Sequence, residues 1–204
     1  YDGMLKYANF SPDILQNIEN RIGLQLQDVE DEERKENGFL AIDLIDYIYA
    51  VLHSVTYRDT YHDFLQNDFP TIPYPASAEY FFKMAEFGKR LRYLHELKGI
   101  DRKDLITTYP VIGEKDNNVV LIHKFEETNE GIGRVWINKE QYFDGVPLEA
   151  WNMIIAGYQP LEKWLKDRKD KHLTSDEIIH YQKMVVALVK TIRTQEKIDE
   201  IIEL

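Results

Sequence analysis

The fold is decided by a run near the middle of the chain, residues 134–143, which reads RVWINKEQYF. Two short runs rich in β-branched and aromatic residues, 134–137 and 141–143, flank a polar turn, and this arrangement is typical of adjacent strands. Two more β-prone runs lie upstream, at residues 106–109 and 119–122, with Gly, Asn and Asp residues in between. We therefore expect a small, mostly antiparallel sheet in the middle of the chain.

Helical patterns precede this sheet. Ser11 and Pro12 begin the first helix and Gly23 ends it, because Ser favours the N-cap, Pro the first turn and Gly the position after the last turn. Apolar residues at spacings of three and four predict helices at residues 40–52 and 76–98, and Tyr57, Tyr61, Phe64 and Leu65 predict another between them, after a break near Ser54. The N-terminal half is therefore predicted to be helical.

Helical patterns also follow the sheet. Thr174 and Glu177 have the spacing of a capping box, which predicts a long helix from Ser175 onward. Three prolines within residues 67–75 exclude a helix there and predict an extended strap. The order of helices, small sheet and helices predicts an α+β fold.

We expect one composite domain with three parts. They are a helical subdomain with the Pro-rich strap at residues 1–103, a β-rich subdomain at 104–160, and C-terminal helices at 161–204. Because the chain begins with Tyr1 rather than a methionine, we interpret it as a piece of a longer polypeptide.

The composition excludes several classes of protein. With 204 residues, 44% hydrophobic and 30% charged, the chain is predicted to be globular rather than disordered. No window approaches roughly 18 consecutive apolar residues, and no basic and apolar leader opens the chain, so we expect a soluble protein with no membrane partner. The absence of cysteine excludes disulfides and zinc ribbons, and it is consistent with a cytoplasmic location.

The charge is distributed unevenly. The net charge of −11 argues at first sight against a nucleic-acid partner, because Lys and Arg dominate phosphate binding. Residues 28–36 carry six acids against two bases, which predicts an exposed acidic loop, whereas residues 83–103 carry seven bases against three acids and residues 163–171 five against two. Each basic run is either a local basic face or an ordinary solvated helix surface.

The sequence shows no pattern for catalysis. The tripeptide Gly131-Ile132-Gly133 is too short for a nucleotide-binding loop, and the adenine-binding tetrapeptide of amino-methyltransferases is missing. The six histidines include no pair spaced for a metal on one helix. Pro12-Asp13 and Glu96-Leu97-Lys98 match the letters of a metal-dependent nuclease, but both lie in predicted helices. We expect no catalytic residue, metal or cofactor in this chain.

Two groups of residues are candidates for binding DNA. Around the turn of the opening run, Asn138 and Gln141 could read adenine, while Lys139 could contact guanine or phosphate. In the alternative interpretation, Asn138 caps the turn and Gln141 bonds to the backbone. The second group consists of cations that could contact phosphates or simply form a wet helix terminus: Lys163, Lys166, Arg168, Lys169 and Lys171. Trp151, Tyr158 and Trp164 could stack on bases or belong to the core.

Several motifs in a fixed order resemble one known family. They include DYIYAVLHSVTYR at residues 46–58, DFPTIP at 68–73, INKEQYFDGVP at 137–147 and KWLKDRK at 163–169. These segments are similar to the C-terminal specificity domain of type ISP restriction-modification enzymes, and the resemblance extends from about Asn9 to Asp199. The similarity therefore covers nearly the whole chain.

The resemblance implies a division of labour within a longer polypeptide. In that family one chain carries an N6-adenine DNA methyltransferase, which uses S-adenosylmethionine, usually beside a nuclease and a translocase. This chain would then read double-stranded DNA through residues 104–160 for the methyltransferase domain of the same polypeptide. Two alternatives stay open: a protein-docking module that positions the methyltransferase or motor without reading bases, and an independent hydrolase.

Overall fold

The chain is described here from a computed structural model, which covers residues 9–27, 31, 33–110, 117–155 and 157–204. Its residues group into two compact units, the first formed by residues 1–93 and 194–204 and the second by residues 94–193. Along the chain, helices precede and follow one small antiparallel sheet. The predicted α+β fold class is confirmed, and the finer subdomain boundaries at residues 103 and 160 stay a prediction.

The first unit is mainly helical. Its elements are α1 (Pro12–Ile22), β1 (Gln25–Leu26), β2 (Gly38–Phe39), α2 (Ala41–His53), α3 (Val55–Thr60), α4 (His62–Leu65) and most of α5 (Ala78–His95). As predicted, α1 follows an N-cap Ser11 and ends at Gly23, whose left-handed backbone (φ 70°) suits glycine. The two-residue strands β1 and β2 pair in parallel, and strands of this length leave no periodicity in the sequence.

The predicted acidic loop lies only partly within the described residues, since residues 28–30 and 32 fall outside them. In the described part, Lys35 Nζ binds the Asp31 carboxylate at 2.6 Å. This hydrogen bond lowers the pKa of Asp31. At least one member of the acidic run is therefore paired locally.

Among the described residues of the first unit, Arg92 and Asp46 form an ion pair whose carboxylate is buried. Arg92 on α5 donates from Nε and Nη2 to the two carboxylate oxygens of Asp46 on α2, at 2.8 and 3.0 Å, and the Asp46 side chain is only 2% exposed. One turn earlier on α5, Gly88 lies against the backbone of Asp46, and a Cβ atom added there would overlap the Asp46 carbonyl. Helix α5 can therefore approach α2 this closely only with glycine at position 88.

The proline-rich strap packs against the same core. Residues 70–75 form neither helix nor strand, as the prolines predict. The buried side chains of Tyr47 and Tyr57 donate to the carbonyls of Pro73 and Thr71, at 2.8 and 3.0 Å. These two hydroxyl groups fix the course of the strap.

The second unit contains the sheet. Its elements are a 3-10 helix (Arg102–Asp104), β3 (Lys124–Asn129), β4 (Ile132–Trp136), β5 (Tyr142–Pro147), α6 (Leu148–Asn152), α7 (Pro160–Lys166) and most of α8 (Ser175–Asp199). The three strands form an antiparallel sheet in the order β3-β4-β5. The inner face is apolar because Val135 and Phe143 alternate with outward-facing residues along β4 and β5.

Two of the four predicted β-runs differ from the observed strands. Residues 106–109 and 119–122 contribute only isolated bridges, Thr108 to Asp144 and Val119 to His172. Leu121 and Ile122 both donate to the carbonyl of Ile137, so their hydrogen bonds do not alternate as in a regular strand.

The C-terminal prediction is confirmed in detail. Helix α8 begins at Ser175, and the predicted capping box forms, with Thr174 N to Glu177 Oε2 at 3.0 Å and Glu177 N to Thr174 Oγ1 at 3.2 Å. The backbone hydrogen bond from Thr174 lowers the pKa of Glu177. Among the helices that the structure describes, none is long and apolar enough to cross a bilayer.

Candidate nucleic-acid interface

One irregular segment, residues 117–122, joins the two predicted binding groups. On one side Val120 N donates to Lys171 O at 3.0 Å, and Asp170 N donates to Val120 O at 2.8 Å. On its other side Leu121 N donates to Ile137 O at 2.7 Å, next to the turn that follows β4. The turn at 138–141 and the basic run at 163–171, which lie far apart in sequence, therefore flank the same segment.

Asn138 holds this turn together with its side-chain amide. Its Nδ2 donates to the carbonyls of Asn117 and Val119, at 2.9 and 3.0 Å, and its Oδ1 accepts from Glu140 N and Gln141 N, both at 2.8 Å. The residue is 2% exposed, and these four bonds use its donors and both lone pairs. The geometry favours the turn-capping alternative, and a base contact by Asn138 would require this turn to open.

Substitution of Asn138 separates the two roles. Asn138→Ala is expected to lower the free energy of unfolding by about 2 kcal/mol, because buried backbone groups lose their partners. Urea unfolding measures the change, with the exposed Asn152→Ala on α6 as the matched control. Unchanged stability combined with weaker DNA binding would support base contact instead.

Of the other two residues in the turn group, only Lys139 presents its side chain to solvent. Gln141 is 1% exposed, and its side-chain Oε1 has no hydrogen-bond partner among the described residues. Lys139 is exposed, and it forms no ion pair within the part of the chain that the structure describes. The turn therefore offers a cation at its surface, while its two amides lie inside.

Carboxylates neutralise much of the basic cluster. The ion pairs are Lys163 with Asp167 at 2.8 Å, Lys166 with Glu162 at 2.9 Å and Arg168 with Glu177 at 3.0 Å. Each cation would have to leave or share its partner in order to bind a phosphate. Such exposed pairs contribute little to stability, so exchange of partners is feasible.

Lys169 and Lys171 differ from the rest of the cluster. Both are exposed, and neither forms an ion pair with a described residue. They lie on either side of Asp170, whose left-handed backbone (φ 62°) turns the chain after α7; aspartate tolerates this conformation better than most residues. Because Asp170 and Lys171 bond to Val120, the turn carrying both cations is fixed to the segment 117–122.

The three candidate aromatic residues have different surroundings. Trp151 is buried and stacks on Phe125. Trp164 has the guanidinium of Arg168 3.6 Å from its ring centroid and is stacked against His180 at 5.8 Å, so its ring is occupied. Tyr158 is 61% exposed and therefore has the most accessible ring of the three.

Sequence reasoning missed the solvent-facing side of the sheet, here called the outer sheet face. It consists of two cross-strand rows, Lys124–Trp136–Tyr142 and Glu126–Arg134–Asp144. Rings of Trp136 and Tyr142 lie 4.5 Å apart, and Trp136 Nε1 donates to Glu126 at 2.6 Å. The signal available in the sequence was the β-branched residue at every second position of 134–137, which places Arg134 and Trp136 opposite the buried Val135 and Ile137.

Arg134 is held on this face from two sides. Its Nε donates to Asp144 Oδ1 at 3.0 Å, and its guanidinium lies over the Tyr142 ring, 4.5 Å from the centroid. The hydrogen bond to Asp144 raises the pKa of Arg134, so the group stays charged. Its two terminal nitrogens have no hydrogen-bond partner among the described residues.

The metal and catalytic patterns considered in the sequence can be placed on the described residues. No group of three or more His, Asp or Glu residues within them could hold a metal ion. Gly131 lies in the turn between β3 and β4, and Ile132 and Gly133 belong to β4, so the tripeptide is not a strand-to-helix loop that would suit a nucleotide. Glu96-Leu97-Lys98 lies in the turn after α5, which corrects its predicted place inside the helix.

A family model assigns the fold more closely than its helices and sheet do. The chain belongs to the family of Type ISP C-terminal specificity domains, whose model matches residues 4–204. No curated protein matches the sequence.

Three solved structures share the fold. A DrdV–DNA complex matches with a TM-score of 0.58 and 20% identity over 79% of this chain, and LlaBIII, an ATP-dependent Type ISP restriction-modification enzyme bound to DNA, with 0.55 and 20% over 80%. A nuclease-deletion mutant of the Type ISP enzyme LlaGI, in complex with a DNA substrate mimic, matches with 0.51 and 22% over 85%. The chain spans only 18%, 11% and 14% of these three proteins, respectively.

Proposed function

We propose that this domain recognises a sequence in double-stranded DNA and directs an N6-adenine methyltransferase domain of the same polypeptide to it. One observation carries the proposal: Lys139, Lys169 and Lys171 are exposed cations without described carboxylate partners, on two turns that flank residues 117–122. Membership in a specificity-domain family and the likeness in fold to three DNA-bound proteins support it. The docking alternative gives these cations no role.

The proposed contacts divide into two kinds. Phosphate contacts by lysines fix the position and register of a protein on the duplex, while base-edge contacts read the sequence. The unpaired Lys169 and Lys171 should contribute more to phosphate binding than Lys163, Lys166 and Arg168, which have carboxylate partners. Because the domain carries a net charge of −11, we expect the isolated chain to bind weakly and other parts of the polypeptide to strengthen the grip.

Removal of the two unpaired lysines tests the proposal. The double substitution Lys169→Ala/Lys171→Ala is expected to weaken binding of the intact protein to every duplex by about tenfold at moderate salt. It should also reduce the slope of log K against log salt by about 2, because each phosphate contact contributes about 0.9. Fluorescence anisotropy at several salt concentrations measures both quantities.

Two comparisons make this test specific. Lys103→Ala removes an exposed charge in the 3-10 helix of the same unit and should leave the slope unchanged. Lys163→Ala should have a smaller effect than either unpaired lysine, because Lys163 would have to leave Asp167 before it could bind a phosphate. If the double variant retains the affinity and slope of the unsubstituted protein, these lysines do not bind phosphate.

The proposal extends to the chemistry of the parent polypeptide. Methyl transfer would use S-adenosylmethionine bound outside these 204 residues, since the only Gly-x-Gly stretch of this sequence runs from a hairpin turn into strand β4. Exchange of residues 104–160 with those of a relative of different specificity should change which adenines are methylated, as read by sequencing of the modified DNA. A docking module would leave the methylated sequence unchanged.

A further inference from the structure

We propose that Arg134 determines part of the sequence specificity by donating to a guanine in the major groove, with Asp144 and Tyr142 as its positioning residues. This inference rests on the proposed function, because it names a residue that would read the DNA. In this proposal the bases are read by the outer sheet face and not by Asn138 and Gln141, whose side chains are buried.

Arg134 has hydrogen-bond donors that are free to contact a base. Its Nε is used by Asp144, whereas the terminal amino groups have no described partner. These two groups form a planar fork, and the O6 and N7 atoms of guanine present two acceptors at the matching separation on the major-groove edge. An arginine anchored through Nε is therefore ready for an end-on bidentate contact.

The strands make this fork rigid. Arg134 and Asp144 are register partners across β4 and β5, and Asp144 exchanges both backbone hydrogen bonds with Thr108 on the other side, at 2.9 and 3.0 Å. The ring of Tyr142 lies against the guanidinium. A side chain held in this way loses less conformational entropy when it binds than a free surface arginine would.

The surroundings of Arg134 also suit the major groove. A β-ribbon can enter that groove and present alternate side chains to the bases. Arg134 and Trp136 point from the same side of the central strand, and Trp136 is held by Glu126 and Tyr142. The next turn along the chain carries the exposed Lys139, which could contact a phosphate at the groove edge while β4 faces the bases.

A purely structural role gives a different expectation. The side chains of Arg134 and Asp144 are 36% and 38% exposed, and ion pairs with this exposure add little to stability. If the pair served only the fold, its removal would change unfolding slightly and leave the preference among DNA sequences intact. Sequence preference is therefore the decisive readout.

The experiment combines protein and base substitutions in the intact protein. A preferred duplex is first selected from a randomised pool, and each guanine is then replaced singly by 7-deazaguanine, which lacks the N7 acceptor. The unsubstituted protein is expected to lose about tenfold in affinity at one of these positions. Arg134→Gln should bind the unmodified duplex about tenfold more weakly, and it should lose nothing further at that position alone.

Three variants complete the design. Arg134→Lys retains the charge but lacks the fork, and we expect it to behave as Arg134→Gln does; it also covers the case in which Arg134→Gln fails to fold. Asp144→Asn weakens the anchor at Nε, and it should reduce the same 7-deazaguanine penalty in part. Arg102→Gln removes an exposed charge from the 3-10 helix and should retain the full penalty.

The outcomes separate this inference from the proposed function. If Arg134→Gln and Arg134→Lys keep every 7-deazaguanine penalty of the unsubstituted protein, the inference is wrong, whatever the lysine variants show. Uniformly weaker binding with all penalties retained would make Arg134 a phosphate contact and would also overturn it. If the unsubstituted protein binds all duplexes equally, the proposed function fails first and the inference fails with it.

Discussion

Arg92→Ala is expected to lower the free energy of unfolding by about 3 kcal/mol, because it leaves the buried carboxylate of Asp46 without its partner. Asp46 accepts both hydrogen bonds of a bidentate pair, and its side chain is 2% exposed, so the substitution removes two charge-assisted donors from a buried carboxylate. Urea unfolding, followed by circular dichroism, measures the loss as a lower transition midpoint with little change in slope.

A neighbouring variant and a double variant test the cause. Arg90→Ala removes an exposed arginine from the same helix and is expected to change stability by less than about 0.5 kcal/mol. Replacing both partners, as in Arg92→Met/Asp46→Leu, leaves no buried charge and should recover most of the loss. If Arg92→Ala were no more destabilising than Arg90→Ala, the buried pair would contribute nothing to the fold.

The elements that could be predicted from the sequence are those whose signal is local. Helix α1 has its cap, its proline and its terminal glycine within 13 residues, and the capping box of α8 lies within four. Strand β3 had no such signal, because its residues KFEETN are mostly exposed and only Phe125 turns inward. A strand that faces water on one side and lies at a sheet edge does not need the apolar alternation on which prediction depends.

The candidate site shows the same limit more sharply. From the sequence alone, Asn138 could either read a base or cap a turn. The structure favours the cap because Asn138 donates to the carbonyls of Asn117 and Val119, about 20 residues away in sequence. The partners of Arg134 come from a different strand, since Asp144 and Tyr142 belong to β5. Sequence spacing can identify a candidate residue, but the function of that residue depends on contacts with residues far away in the sequence.

Gly88→Ala is the second substitution with a large expected effect. Whether it raises or lowers the free energy of unfolding shows how closely the two helices pack. In the interior of a helix, alanine is normally more stable than glycine by about 1 kcal/mol. At position 88 the added Cβ would overlap the backbone carbonyl of Asp46, so α5 and α2 would have to separate. We expect a net loss of about 3 kcal/mol, measured by urea unfolding.

A control on the exposed face of α5 isolates the effect of close packing. Glu86→Ala changes an exposed residue two positions earlier and should leave stability within about 0.5 kcal/mol of the unsubstituted chain. A stabilising effect of Gly88→Ala would mean that helix propensity dominates and that the two helices have room for the methyl group.

The effects at Gly88 and Arg92 should depend on each other, because both residues contact Asp46. They are four residues apart on α5 and therefore share one face of the helix. Gly88 sets the distance of α5 from the Asp46 backbone, and that distance lets Arg92 reach the Asp46 carboxylate. Once Gly88→Ala has separated the helices, Arg92→Ala has less to remove, so the double variant should be more stable than the sum of the single losses predicts by about 1 kcal/mol. Strict additivity would mean that the close approach and the ion pair stabilise the unit independently.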